Sequence, residues 1–195
     1  KTVQTLAHIL LEKQENRLNK PYLIVCPTSV LPNWLSEIAK FTPTLVATPL
    51  YGPERQRYFF RIPSSDIVLT TYPLVNRDLD SLREQHWKAV ILDEAQFIKN
   101  ANTQVAKAVT ALKADVRVCL TGTPVENNLG EVWSQFNFLM PGFLGDRQSF
   151  RDNYRTPIEK KGDASVQKKL AERIRPFLLR RKKENVAKDL PAKTI

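Results

Sequence analysis

Two adjacent carboxylates, Asp93 and Glu94, directly follow the apolar run at residues 90–92, and this position suggests chemistry. A carboxylate at the end of a buried strand can hold Mg²⁺, while its neighbour can polarise a water for in-line attack on a phosphate. An acidic pair elsewhere in a chain usually lies on the surface, so the argument rests on the strand-terminal position. The pair therefore predicts a magnesium-dependent site for phosphate chemistry.

Lys1 and Thr2 open the first predicted helix and could belong to the same site. In a glycine-rich phosphate loop the final Lys-Thr pair enters a helix, where the Lys reaches the phosphates and the Thr hydroxyl binds Mg²⁺. The chain has six glycines, and none of them precedes Gly52. We therefore expect the chain to be a piece of a longer protein, and we expect this piece to begin just after the glycines of such a loop.

The elements that must position these residues alternate between strand patterns and helix patterns. Short apolar runs typical of strands buried on both faces occur at residues 22–26, 45–47, 67–71, 89–93 and 116–120. Apolar residues at helical spacing lie between them, at residues 3–10, 31–38, 74–82 and 105–112. Because strands alternate with helices through short connections, we predict a three-layer α/β fold with a mostly parallel sheet.

Ligands of such a sheet bind beyond the carboxyl ends of its strands. The residues that follow the predicted strands are rich in hydroxyl and carboxylate groups: Thr28 and Ser29; Thr70, Thr71 and Tyr72; residues 93–96; and residues 121–124. Oxygen groups of this kind suit magnesium, phosphate and a polarised water better than they suit an apolar ligand.

The charge of the chain is concentrated near its end. The 30 basic and 20 acidic residues give a net charge of +10, and residues 151–195 hold 14 of the basic and 6 of the acidic ones. Such an excess suggests a polyanionic partner, although a charge run can also be a solvated helix face. We predict an α/β domain over residues 1–142 and a basic helical extension over residues 143–195, whose densest cluster includes Arg180 and Arg181.

Composition narrows the function classes further. The longest apolar runs are far shorter than the roughly 18 to 20 residues that span a bilayer, so no membrane association is predicted. Cys26 and Cys119 are too few for a disulfide framework and lie in apolar runs, which indicates buried strand residues in a reducing compartment. That compartment is the cytoplasm or nucleoid of a bacterium or archaeon, or a nucleus. His8 and His86 lack partners at metal-ligand spacing.

Four blocks of sequence together resemble the Swi/Snf family of DNA-translocating ATPases in helicase superfamily two, over essentially the whole chain. They are residues 25–29 with 33–34, similar to motif Ia; residues 92–96 with 98–100, similar to motif II; residues 120–124 with 127–133, similar to motif III; and residues 177–191, similar to the block that leads into the second lobe. The third and fourth blocks are specific because patterns of that length rarely match by chance.

The resemblance implies a RecA-like first lobe with a P-loop NTPase fold, truncated at its phosphate loop, that binds ATP and Mg²⁺. Lys1 and Thr2 match the end of motif I, Asp93 matches the magnesium carboxylate, and Glu94 matches the carboxylate that activates water. Gln96 stands where many relatives have His. Thr2 and Asp93 are therefore the expected magnesium ligands.

The resemblance also implies a duplex-DNA partner, held through its backbone without reading of the sequence. Thr121, Gly122 and Thr123 match the segment that couples nucleotide state to DNA contact and are expected at the nucleotide site. The expected DNA-contacting residues donate from hydroxyl, backbone or guanidinium groups; they are Thr28, Ser29, Thr70, Thr71, Tyr72, Arg180 and Arg181. Trp34 and Trp133 lie on apolar helix faces and are expected in the core.

The leading hypothesis is the N-terminal motor lobe of an ATP-dependent duplex-DNA translocase of the chromatin-remodelling type, a DNA-dependent ATPase within its full-length parent. The second RecA-like lobe of that parent is the other expected partner. We expect the isolated piece to bind DNA weakly, not to hydrolyse ATP, and to self-associate through strand edges left by a missing strand. The alternatives are a superfamily-two RNA or DNA helicase lobe and a non-catalytic DNA-binding scaffold.

Overall fold

The computed structural model of this chain describes residues 1–122 and 129–180. The chain divides into two compact units, Lys1–Asp146 and Arg147–Ile195. The first unit holds a β-sheet with helices, and the second is helical over its described residues. Each unit is described by itself below.

A five-stranded sheet lies at the centre of the first unit. Its strands are β1 (Tyr22–Cys26), β2 (Ala47–Pro49), β3 (Ile67–Thr71), β4 (His86–Asp93) and β5 (Lys113–Leu120). They lie in the order β2-β3-β1-β4-β5, and every pairing is parallel. The predicted parallel α/β sheet is therefore confirmed. The continuous apolar runs of β1 and β3 are buried on both faces, as their sequence indicates.

Helices cover both faces of this sheet. They are α1 (Thr2–Gln14), α2 (Leu31–Phe41), α3 (Tyr72–Arg77), α4 (Leu79–Glu84), α5 (Gln104–Thr110) and α6 (Leu129–Leu139), with 3₁₀ helices at Arg55–Ser64 and Ala95–Ile98. Residues of α1 and α2 pack with Ile24 and Ile91 in one core cluster. Residues of α3, α5 and α6 pack with Leu23 and Val90 in the other. The three-layer prediction is thus confirmed.

Two elements differ from the sequence prediction. The strand predicted at residues 45–47 begins only at Ala47, because the Val46 backbone N–H donates to the Asp66 carboxylate instead of to a neighbouring strand. The helix predicted over residues 74–82 is broken into α3 and α4 at Asp78. The Asp78 carboxylate accepts two hydrogen bonds from Arg55, at 2.6 and 2.7 Å.

The strand edges expected beside a missing strand do not lie inside the sheet of the described residues. The five strands pair without interruption, and β5 is an outer strand that pairs with β4 alone. Val116 of β5 is 51% exposed. The β5 edge of the sheet therefore exposes apolar strand surface.

The second unit consists of short helical segments. They are α7 (Arg147–Phe150), a π-helical turn at Arg151–Arg155, α8 (Thr156–Lys161), α9 (Ala164–Ile174) and a 3₁₀ turn at Arg175–Phe177. Gly162 ends α8 with a φ of 63°, which favours glycine, and the Asp163 carboxylate caps α9 by accepting from Ser165 and Val166 N–H. The glycine and the capping carboxylate therefore separate α8 from α9 within a stretch of polar sequence.

Among the residues that the structure describes, no helix combines the length and the apolar character needed to cross a bilayer.

Candidate nucleotide-binding site

The strands of the sheet bring most of the predicted site residues to one place. Cys26 at the end of β1 pairs with Thr71 of β3, and Asp93 at the end of β4 pairs with Leu120 of β5. Since all strands are parallel, the segments that follow β1, β3, β4 and β5 leave the sheet at the same side. We call this side the carboxyl edge. It is where ligands of open α/β sheets bind.

Asp93 is the most firmly held residue of the carboxyl edge. It is 7% exposed, and the buried Trp34 indole donates from Nε1 to its Oδ2 at 2.9 Å. The Glu94 backbone N–H donates to Oδ1 at 3.0 Å, and the Tyr72 hydroxyl donates to the Asp93 carbonyl at 2.7 Å. A buried carboxylate needs such donors. Because each oxygen accepts one hydrogen bond, each keeps a lone pair for a cation or its water.

Glu94 follows Asp93 in a left-handed backbone conformation, and the two carboxylates have different partners. Its φ is 51°, and Asn16 is the only other non-glycine residue with a positive φ in the described parts of the chain. This conformation costs on the order of 1–3 kcal/mol and is typical of functional sites. Asp93 is buried against Trp34, whereas Glu94 is half-buried and its Oε2 accepts from Gln96 Nε2 at 2.7 Å.

Gln96 joins this carboxylate to the end of the neighbouring strand. Its side-chain oxygen accepts from the Thr121 hydroxyl at 3.3 Å, while its nitrogen holds Glu94. Glu94, Gln96 and Thr121 therefore form one chain of hydrogen bonds from β4 to β5. The structure thus brings together residues that the sequence places in two separate motifs.

The start of the chain lies at the same edge. A Cβ at Gly122 would be 3.8 Å from Lys1 Nζ, so the ammonium group lies beside the segment that follows β5. Thr2 is the first residue of α1. Thr123, which the resemblance also places at the nucleotide site, lies outside the described residues.

The groups at the carboxyl edge fit a magnesium nucleotide. Carboxylate and hydroxyl oxygens are the ligands that Mg²⁺ prefers, and the Lys1 ammonium suits phosphate. Within residues 1–122 and 129–180, no group of three or more His, Cys, Asp or Glu residues could hold a metal ion by itself.

The hydroxyl groups predicted to contact DNA after β3 require a correction. Thr70, Thr71 and Tyr72 are 0%, 1% and 1% exposed, because β3 lies inside the sheet and α3 begins directly at its end. The Tyr72 ring stacks on Phe97 with centroids 4.9 Å apart, and burial raises the pKa of Tyr72. Their placement does not support hydroxyl contacts with phosphate. Tyr72 supports the backbone of Asp93 instead.

The other predicted DNA contacts lie on the surface. Thr28 and Ser29 are exposed in a turn closed by a 2.9 Å hydrogen bond from Val30 N–H to the Pro27 carbonyl, directly before α2. Arg180 is exposed and belongs to the second unit. Arg181 lies outside the described residues.

The sequence reasoning missed the polar role of Trp34. Its burial in the core is confirmed, at 0% exposure, but its hydrogen bond to Asp93 spans 59 positions of sequence. One signal was available, because a buried Trp usually needs a partner for its indole N–H. Trp133 is half-buried and donates to the Gly145 carbonyl at 3.1 Å.

The two cysteines take no part in this chemistry. Cys26 is buried in β1 and Cys119 is half-buried in β5, as their apolar neighbours predict. Burial raises the pKa of each thiol to about 12, so neither is a thiolate near neutral pH.

Comparison with solved structures supports the fold class defined above, a RecA-like ATPase lobe. The SWI2/SNF2 ATPase core of Sulfolobus solfataricus in complex with dsDNA superposes with a TM-score of 0.89 and 44% identity, over 98% of this chain and 40% of that one. A second structure, of the Sulfolobus solfataricus SWI2/SNF2 ATPase core domain, superposes with a TM-score of 0.84 and 43% identity, over 96% of this chain and 38% of that one. The chain therefore has the fold of one part of that core.

The family follows from the sequence comparison. The model of the SNF2-related domain matches residues 1–195, so the chain belongs to this family and the Swi/Snf resemblance is confirmed. A Bacillus subtilis (strain 168) protein named as an ATP-dependent helicase/translocase, YwqA, is 43% identical over 99% of this chain and 22% of its own length. Human TATA-binding protein-associated factor 172 is 39% identical over 90% of this chain and 10% of its own length. The chain thus spans less than a quarter of these curated relatives.

Proposed function

We propose that this chain is the first motor lobe of an ATP-dependent duplex-DNA translocase, active as a DNA-dependent ATPase within its full-length protein. The observation that carries the proposal is the pair Asp93–Glu94 at the carboxyl edge, where Gln96 connects Glu94 to Thr121. The relatives add support, since one is named for ATP-dependent helicase or translocase activity and another was solved with dsDNA.

The residues of the site divide the chemistry between them. Asp93 and Thr2 would hold Mg²⁺, and Lys1 would neutralise phosphate charge. Bound Mg–ATP supplies the phosphoryl group that is transferred to water. Glu94 would orient that water and accept its proton, and Gln96 holds one oxygen of the Glu94 carboxylate by a hydrogen bond. The buried donors around Asp93 keep its carboxylate in one orientation throughout.

The link from Glu94 to Thr121 supports coupling between the nucleotide and DNA. Because one side-chain amide contacts both residues, a shift of the segment after β5 moves the group that holds Glu94. Thr121, Gly122 and Thr123 are the residues that we assign to this coupling. The completed site is shared with the second RecA-like lobe of the same protein.

DNA is held through its backbone and without reading of the sequence. Thr28 and Ser29 contribute hydroxyl and N–H donors from the first unit, and Arg180 and Arg181 contribute positive charge from the second. Residues 147–195 contain 15 basic and 6 acidic residues, which supports electrostatic binding of a polyanion. We place the protein in the cytoplasm or nucleoid of a prokaryote, or in a nucleus.

The isolated chain of 195 residues is proposed to bind DNA weakly and to leave ATP intact. Among the described residues, its outer strand β5 pairs with β4 alone and exposes Val116, which favours association with a second copy. Light scattering tests this point: a concentration-dependent dimer is expected, and a monomer at every concentration would contradict it.

The proposed function is tested by measuring which nucleic acid stimulates ATP hydrolysis most. We expect the full-length protein to hydrolyse ATP fastest with duplex DNA, slower with single-stranded DNA and slowest with structured RNA. Stronger stimulation by RNA or single strands would identify the helicase alternative. Salt-sensitive DNA binding without hydrolysis would identify a scaffold.

A further inference from the structure

Trp34 connects the magnesium carboxylate to the helix that follows β1. It has no exposed surface, and its indole nitrogen lies 2.9 Å from Asp93 Oδ2. Packing alone does not require an N–H group at this place, because Trp34 lies in an apolar cluster with Leu31 and Ile38. The indole therefore places a single polar atom in the core, and that atom contacts the carboxylate.

The position of Trp34 within α2 extends this connection to the surface. Its backbone N–H donates to the Val30 carbonyl at 3.2 Å, in the first turn of the helix. The Val30 N–H in turn closes the tight turn that exposes Thr28 and Ser29. Hydrogen bonds thus run from the exposed turn through the first turn of α2 and the indole to Asp93.

We propose that Trp34 is a positioning residue that fixes the Asp93 carboxylate for the magnesium nucleotide and couples it to the Thr28–Ser29 turn. This inference rests on the proposed function. A phosphate held at the turn displaces the first turn of α2, and the indole carries that displacement to Asp93. Because thermodynamic coupling is reciprocal, bound magnesium nucleotide changes the affinity of the turn for phosphate by the same factor.

The chain supplies a matched control in Trp87, near the opposite end of β4. Trp87 is also fully buried, and its Nε1 donates to the Leu82 backbone carbonyl at 3.1 Å. Trp87→Phe removes the same indole from a core and breaks one hydrogen bond, as Trp34→Phe does. The two variants differ in that only Trp34 contacts the carboxylate.

The test measures binding, not turnover, in the full-length protein. The dissociation constant of a fluorescent ATP analogue is determined with Mg²⁺ and with EDTA, each with and without duplex DNA. Trp34→Phe is expected to weaken Mg²⁺-dependent binding about 10- to 100-fold, the usual effect of losing a partner of a metal ligand. Binding in EDTA stays unchanged, and the effect of DNA on nucleotide affinity falls towards a factor of one.

A second variant keeps the shape of the side chain. Trp34 replaced by β-(3-benzothienyl)alanine retains the fused rings and lacks the N–H, so it separates the hydrogen bond from packing if Trp34→Phe fails to fold. The same loss of Mg²⁺-dependent binding is expected. The inference is overturned if the isostere binds like wild type, or if Trp87→Phe loses as much as Trp34→Phe. Wild-type protein without Mg²⁺-dependent nucleotide binding would overturn the proposed function as well.

Discussion

The two units of this chain differ in the balance and the placement of their charged side chains. Residues 1–146 contain 15 basic and 14 acidic residues, and residues 147–195 contain 15 and 6. The first unit places acidic groups at defined positions, such as Asp93 beneath Trp34 and Asp78 against Arg55. The second unit exposes Lys160, Lys161 and other cations on short helices.

Under the proposed function, this difference corresponds to two kinds of ligand. Chemistry on a phosphate needs a few groups at fixed distances, so the first unit buries them and satisfies their hydrogen bonds. Affinity for a nucleic-acid backbone depends on the number of cations more than on their arrangement, so exposed and flexible side chains suffice. We therefore expect substitutions in the first unit to act through geometry and substitutions in the second to act through salt-dependent attraction.

The largest effect is expected at Glu94. Glu94→Gln keeps the size of the side chain but removes the proton acceptor, so the ATP hydrolysis rate of the full-length protein should fall about 10²- to 10⁴-fold. Glu84→Gln is the matched control, since Glu84 is exposed on α4 of the same unit. Steady-state hydrolysis with saturating duplex DNA measures both. Equal hydrolysis rates for the two variants would contradict a catalytic role of the carboxyl edge.

The next largest effect is expected in the free energy of unfolding, when one ion pair is broken in each of the two units. Arg55→Met leaves the buried Asp78, whose side chain is 2% exposed, without its half-buried partner, which should cost about 3 kcal/mol in the free energy of unfolding. Arg155→Met breaks the exposed pair with Glu159, where about 0.5 kcal/mol or less is expected. Urea unfolding followed by circular dichroism measures both changes. Losses of similar size would contradict the contrast between the units.

The smallest effect is expected in DNA binding. Replacing Arg180 and Arg181 with Ala should weaken binding several-fold for every DNA sequence and reduce the slope of log affinity against log salt by about 2. Arg57 and Arg61 of the first unit are exposed and provide the matched double variant, for which the slope should not change. Fluorescence anisotropy over a salt series gives both slopes. A larger change in slope for the Arg57 and Arg61 variant would indicate that the DNA-binding surface lies in the first unit.

The sequence was sufficient for the parts of the fold that local pattern determines. Strands β1 and β3 have the predicted bounds, because a continuous apolar run closed by polar or turn-forming residues has few other stable placements. Asp93 and Glu94 were recognisable as a candidate pair because they directly follow such a run. In these cases the signal and the structural consequence lie within a few residues.

The remaining features depend on contacts between distant parts of the chain. The bond from Trp34 to Asp93 and the bridge from Glu94 through Gln96 to Thr121 form only when the strands take up their register. Tyr72 was predicted to contact DNA, but α3 begins there and turns its hydroxyl into the protein. Composition and spacing do not encode which side of a strand end remains exposed.

The most direct test of this account is the magnesium dependence of ATP binding by the full-length protein. Calorimetric titrations with Mg²⁺ and with EDTA are compared for wild type, Asp93→Asn and the control Asp80→Asn, whose residue is exposed on α4. The account predicts that Mg²⁺ strengthens ATP binding equally in wild type and Asp80→Asn, and that Asp93→Asn loses this gain while its affinity in EDTA is retained. A full magnesium gain in Asp93→Asn would contradict it.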